Sequence, residues 1–208
     1  MQIAILLFDR FTALDAVGPY QTLNPLPDSE TVFVAEQAGP VTDDSGSLTL
    51  TARKSLSEVD RPDIVVVPGG PDVPVGNEAL LDWLRRVDAT STWTTSVCTG
   101  SLMLAAAGLL DGRPATTHWL YRDVLGGYGA KPTGRRVVSD GKYVTAAGVS
   151  AGIDMGLALA GRIAGDEHAQ CVQLMIEYDP EPPYDAGAPE KAPAALVEMM
   201  RGQFAAPA

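Results

Sequence analysis

The chain has 208 residues, 15 Lys and Arg against 26 Asp and Glu, and a formal net charge of −11 with a pI near 4.5. That length can bury one sizeable core, so residues 1–208 are expected to form a single domain, and the scattered basic residues offer no footprint for nucleic acid or an acidic membrane surface. Only two cysteines occur, Cys98 and Cys171, which is no disulfide framework and fits a reducing cytoplasm.

Residues 2–8 form a continuous apolar run of buried-strand type, too short before Asp9 and Arg10 for a signal peptide or a membrane span. A short helix is expected over 16–23, opened by Asp15, and a second strand over 31–35. The alternation from 40 to 52, with Ser45-Gly46 at its turn, predicts a hairpin off the main sheet. Strand 64–67 ends at Pro68-Gly69-Gly70-Pro71. Leu80, Leu81, Leu84 and Val87 recur at helical spacing, with Arg85, Arg86 and Asp88 on the other side. The β-branched run 93–97 then breaks at Cys98 and resumes as a helical pattern from Thr99, punctuated by Gly108 and Gly112. Further on, 115–117 reads as extended and 119–125 as a short helix. Ser139-Asp140-Gly141-Lys142 marks a hairpin between Val137-Val138 and Tyr143-Val144-Thr145. Helices over 151–164 and 166–176 precede a Pro-rich irregular segment, 177–193, and a last helix over 194–204. Alternating strands and helices predict an α/β fold, a three-layer α/β/α sandwich around a mostly parallel sheet, with sites at the carboxyl ends of the strands.

The strand, thiol and helix around Cys98 have the layout of a nucleophile turn, in which the helix N-terminus aims free N–H groups and a positive dipole end at the sulfur. A thiol there is expected to ionise more readily than a free cysteine. Three loops after parallel strands should converge, carrying Asp15, Gly69-Gly70 and Cys98-Thr99. In the functional reading Cys98 is the nucleophile and Asp15 the proton donor or acceptor beside it. Uncovered backbone N–H groups at Gly69, Gly70 and Thr99 then form an oxyanion-type pocket. Each residue also has a structural reading. Cys98 serves as a small buried hydrophobe, Asp15 as a helix N-cap, Gly69-Gly70 as a tight turn, and Thr99 as a hydroxyl satisfying a helix-end backbone group.

His118 is a substrate-binding candidate, but no spacing holds it on the sulfur, and a histidine satisfied against backbone near the site is the preferred reading. His168 reads as a solvated surface residue and Cys171 as core. No zinc spacing, phosphate-binding loop or dinucleotide fingerprint is present, so neither metal nor cofactor is expected.

Five segments together resemble the DJ-1/PfpI superfamily: L-D-A-V-G-P at 14–19, V-V-V-P-G-G at 65–70, S-V-C-T-G-S at 96–101, A-T-T-H-W at 115–119 and S-A-G-I-D-M at 150–155. The resemblance runs on to residue 189. Superfamily proteases have His directly after the cysteine where this chain has Thr99, and DJ-1-like members and glyoxalases have Glu where it has Asp15. Both positions match the isocyanide hydratase branch. The C-T-G and A-T-T-H-W motifs also occur in amidase-like domains of AraC-type regulators, which add a helix-turn-helix domain not found in these 208 residues.

The resemblance implies hydration of R–N≡C to an N-substituted formamide. Cys98 would attack the terminal carbon, Asp15 would supply a proton and later activate water, and Thr99 would position one of them. A carboxyl beside a thiolate in a poorly solvated pocket should have a raised pKa and titrate with it as a pair. The resemblance further implies a homodimer in the cytoplasm, with an interface expected near the second half of the nucleophile helix and the Pro-rich segment. The competing readings are a redox sensor in which Cys98 is oxidised beside Asp15, a glyoxalase-type activity on small dicarbonyls, and a ligand-binding relic of a regulator.

Overall fold

The computed structural model describes residues 1–204, beginning with β1 (Gln2–Leu6), α1 (Ala13–Leu23) and β2 (Glu30–Ala35). The hairpin β3 (Gly39–Thr42) and β4 (Thr49–Ala52) follows, then the two-residue β5 (Lys54–Ser55), β6 (Ile64–Val67), α2 (Glu78–Asp88), β7 (Trp93–Val97) and α3 (Gly100–Ala106). After β8 (Pro114–Ala115) come a single 3₁₀ turn (Trp119–Tyr121), α4 (Arg122–Gly127), β9 (Lys131–Pro132), β10 (Val137–Asp140) and β11 (Tyr143–Ala146). Helices α5 (Ala151–Ala164), α6 (Asp166–Met175) and α7 (Ala194–Phe204) complete the described chain.

Seven strands form the main sheet in the order β10-β11-β7-β6-β1-β2-β5, parallel throughout except for β10 against β11. The central strands are the apolar runs: Ile3, Ala4, Ile5 and Leu6 of β1 and all of β6 are buried, as strands covered by helices on both faces must be. α1 and α5 pack together over one side of the sheet with α6 outside them, and α3 packs between the sheet and both α2 and α4. This is the expected sandwich. β2 and β6 lie on opposite sides of β1, so the chain reverses its winding there and opens a crevice at the carboxyl ends of β1, β6 and β7.

Small residues bring α1 and α5 close enough to frame that crevice. A Cβ on Gly18 would meet Ile153, one on Gly152 would meet Pro19, and one on Gly156 would overlap the Thr22 hydroxyl, which is hydrogen-bonded to the Gly18 and Pro19 carbonyls at 3.2 Å. Gly156→Ala is therefore expected to destabilise the protein by about 1–3 kcal/mol through overpacking. The corresponding fall in Tm, in a melt followed by circular dichroism, should be partly recovered by adding Thr22→Ala.

Several expectations are corrected here. α1 begins at Ala13 with Thr12 as its N-cap, so Asp15 sits inside the first turn and does not open the helix, and Pro19 lies in the helix interior. Cys171 is exposed, because α6 turns Ala169, Val172 and Ile176 toward the protein and leaves Cys171, Leu174 and Met175 on the other side. His168 is half-buried with an unpartnered Nε2, not a solvated side chain. In the second half of α3, Met103, Leu104 and Ala105 are buried within this chain, whereas Ala106 is half-buried. β5 and β9 were not expected, since two-residue strands carry no periodicity.

Candidate active site

Cys98 follows β7 in a left-handed backbone conformation, φ 58°, which costs a non-glycine residue about 1–3 kcal/mol unless its surroundings hold it. Here they do. Its N–H is shared between the carbonyls of Ala146 and Ala147 at 3.1 and 2.9 Å, and its own carbonyl accepts from the Thr117 and Ser101 hydroxyls at 3.0 and 3.1 Å. The turn aims the thiol into the crevice opened by the strand order, and the residue retains 6% exposure.

The loops after β1 and β6 close on the same point. Thr12 N–H donates to the Gly69 carbonyl at 2.8 Å, and Gly69 N–H donates to Asp15 Oδ2 at 2.9 Å. Gly70 N–H donates to Thr99 Oγ1 at 2.9 Å, and the Thr99 hydroxyl donates back to the Gly70 carbonyl at 2.7 Å. The glycines are needed for close approach. A Cβ on Gly69 would stand 2.6 Å from Thr99 N and Oγ1 and 2.9 Å from Asp15 Oδ2. A Cβ on Gly100 would run into the carbonyls of Val67 and Pro68.

These bonds overturn one sequence expectation. The N–H groups of Gly69 and Gly70 are not uncovered, because the carboxylate and hydroxyl of the neighbouring loops occupy them. They fasten Asp15 and Thr99 in place instead of facing an oxyanion. The Thr99 hydroxyl bonds the Gly70 loop, not a helix-end group, and it also lies beside the Cys98 sulfur, whose pKa it helps to lower. The N–H groups that do act on the sulfur are those of Val149 and Thr99.

Asp15 is fully buried, with Oδ1 lacking any partner in hydrogen-bond geometry and the Cys98 thiol as the adjacent side-chain donor to the carboxyl. Burial pushes its pKa from 3.8 up to about 7, against the opposing effects of the Gly69 N–H and the Cys98 thiol, and the Asp44 carboxylate adds to the rise. Burial likewise pushes the thiol up to about 12, helped by the charge of Asp15 and opposed by the two backbone N–H groups and the Thr99 hydroxyl. The expected easy ionisation of Cys98 is thus reversed: desolvation beside a carboxylate outweighs the dipole of a seven-residue helix. Between about pH 7 and 12 the pair holds one proton between thiol and carboxyl.

Cys98, Thr99, Gly70 and His118 line one cavity of about 190 Å³ with residues that sequence patterns did not single out, among them Thr12, Asp44, Tyr121 and Val149. Asp44 reaches it because the β3–β4 hairpin docks on the loop after β1, with Asp44 N–H donating to the Phe11 carbonyl at 3.0 Å and Thr12 Oγ1 donating to Asp44 Oδ2 at 2.7 Å. His118 Nδ1 accepts from Leu120 N–H at 3.4 Å, and burial, with the nearby Arg122 charge, lowers its pKa, so a neutral ring lines the pocket. Among the described residues no group of three or more His, Cys, Asp and Glu side chains gathers as a metal site. None of the described helices is long and apolar enough to cross a membrane.

The profile of the DJ-1/PfpI family matches residues 1–162. The chain is 45% identical over 207 residues to the isonitrile hydratase of Pseudomonas putida, covering 99% of this chain and 90% of that protein. It is also 32% identical over 148 residues to the HTH-type transcriptional regulator CdhR of Pseudomonas aeruginosa, covering 70% of this chain and 43% of the regulator. Among solved structures, a ThiJ/PfpI family protein from Pseudomonas syringae superposes with a TM-score of 0.95 at 39% identity, over 98% of this chain and 86% of that one. The chain belongs to the DJ-1/PfpI family.

Proposed function

We propose that this DJ-1/PfpI chain is an isocyanide hydratase, converting R–N≡C and water to an N-substituted formamide, with Cys98 as nucleophile and Asp15 as its acid and base. The observation that carries the reading is a fully buried carboxyl beside a buried thiol held on a left-handed turn, and the direction in which burial shifts both groups is consistent with a proton passed between them. Full-length similarity to an isonitrile hydratase supports the substrate class.

The resting pair keeps its proton on Cys98 and its charge on Asp15, and the cycle runs through the minor tautomer in which that proton has passed to Asp15 and the charge to Cys98. The thiolate attacks the terminal carbon while Asp15 protonates that carbon, forming the C–S and C–H bonds of a thioimidate, R–N=CH–S. Asp15, now ionised, takes a proton from water as hydroxide adds to the carbon, and passes that proton to nitrogen. Loss of the hydroxyl proton back to Asp15 then forms the C=O bond and expels Cys98 as thiolate. One water is consumed and the pair returns to its starting state. Thr99 acts by tying the Gly70 loop to the nucleophile turn, and the neutral His118 by lining the pocket.

This cycle requires the singly protonated pair, so kcat/KM should climb with pH to a plateau with an apparent pKa of about 7 that belongs to the pair. A rate that falls through pH 7 instead would mean that the doubly protonated pair is the reactive one. The direct test is formamide release from an alkyl and an aryl isocyanide by purified protein, beside methylglyoxal. Absence of isocyanide turnover would sink the reading and leave a thiol sensor, and preferential turnover of the dicarbonyl would favour a glyoxalase. A cytoplasmic homodimer belongs to the same proposal, and Leu174, Met175 and Tyr184 are among the large apolar side chains that a single copy leaves exposed.

A further inference from the structure

We propose that α7 is the specificity wall of the Cys98 cavity, with Met200 and Phe204 setting the largest group that an isocyanide can carry on its nitrogen. The inference rests on the functional reading above for its substrate and on the geometry of α7 for its mechanism. Met200 and Phe204 stand four residues apart, on one face of a helix, and both line the cavity into which the Cys98 thiol opens. With Pro71, Leu120, Tyr121 and Val149 they make up its apolar part.

Three features make this wall decisive for size. The cavity, about 190 Å³, is smaller than the roughly 300–1,000 Å³ typical of pockets for larger ligands, so one compact substituent fills it. Its lining contains one carboxylate, Asp44, and no Lys or Arg, so no cation is there to hold an anionic substituent and fit against apolar side chains decides. Finally, α7 buries none of its residues, and a separate apolar space of about 300 Å³ lies beneath it, bordered by Trp119, Pro189, Leu196 and Met200. A helix seated on side-chain tips can be recut without disturbing the sheet that positions Cys98 and Asp15.

The test uses the full chain carrying Met200→Ala with Phe204→Ala, and separately Met200→Trp, all in a Cys171→Ser background because Cys171 is exposed. Two ratios are measured. One is kcat/KM for 2-naphthyl isocyanide over methyl isocyanide; the other, independent of turnover, is the rate of Cys98 alkylation by N-naphthylmaleimide over N-methylmaleimide. In the double alanine variant each ratio is expected to rise about tenfold, and in Met200→Trp to fall about tenfold, the scale of discrimination that a pocket achieves through a few carbon atoms. Either ratio staying unchanged in both variants overturns the wall. If the unsubstituted protein hydrates neither isocyanide, the functional reading fails by itself, and the maleimide ratio alone decides the role of α7.

Discussion

Replacing Cys98 by alanine is expected to lower isocyanide hydration by roughly 10⁴-fold or more, the scale seen when a covalent nucleophile is removed, with substrate binding largely retained. Serine at this position should be nearly as inactive, because a neighbouring carboxyl cannot bring an alkoxide within reach near neutral pH. The fold should survive both changes. Cys98 is held by backbone bonds to Ala146 and Ala147 and by the Thr117 and Ser101 hydroxyls on its carbonyl, none of which involves the thiol. Formamide release and a thermal melt on the same preparations check this, and a Cys98→Ala protein that still turns over substrate would exclude the thioimidate.

Asp15→Asn should separate activity from stability. Hydration is expected to fall by about 10²–10⁴-fold, the usual contribution of a positioned acid and base, and the limb of the pH profile near 7 should vanish with the carboxyl. Stability moves the other way. The folded pKa of about 7 lies above the ordinary 3.8, so the native state binds the proton more tightly, and the wild type loses stability as pH rises from about 4 to about 7. At 1.36 kcal/mol per pH unit that loss is ~4 kcal/mol once the carboxyl is fully ionised. Asparagine cannot ionise and still offers an oxygen to the Gly69 N–H. The variant should therefore unfold at higher urea than wild type at pH 8 and at a similar concentration at pH 4. Equal stability of the two proteins at pH 8 would mean that Asp15 does not carry a buried charge.

The elements most legible in the sequence are those whose signal is local. Strands 64–67 and 93–97 and helices 151–164 and 194–204 coincide with β6, β7, α5 and α7, because a run of β-branched residues or a 3.6-residue apolar period is complete within the element itself. The convergence of the Asp15, Gly69-Gly70 and Cys98-Thr99 loops was legible for a related reason: in a parallel sheet every strand delivers its carboxyl end to the same side. β5 was illegible, being two residues long and defined by its pairing with β2. Asp44 was missed as a cavity residue because only the docking of a hairpin far from Cys98 in the chain brings it there.

Sequence alone sufficed for the central strands, the helices that alternate with them and the meeting of a thiol with an acid, since these follow from residue spacing and chain direction. It did not suffice for the charge state of that pair or for the free donors around it. A turn cysteine ahead of a helix looks activated when only its neighbours in the chain are counted. The ionisation of Cys98 is instead governed by how much water the surrounding fold removes and by the buried Asp15 carboxyl, contributed by another loop. In the same way Gly69 and Gly70 lose their free N–H groups to side chains 54 and 29 residues away. Desolvation and hydrogen-bond occupancy are sums over neighbours in space, and the tertiary structure alone supplies those neighbours.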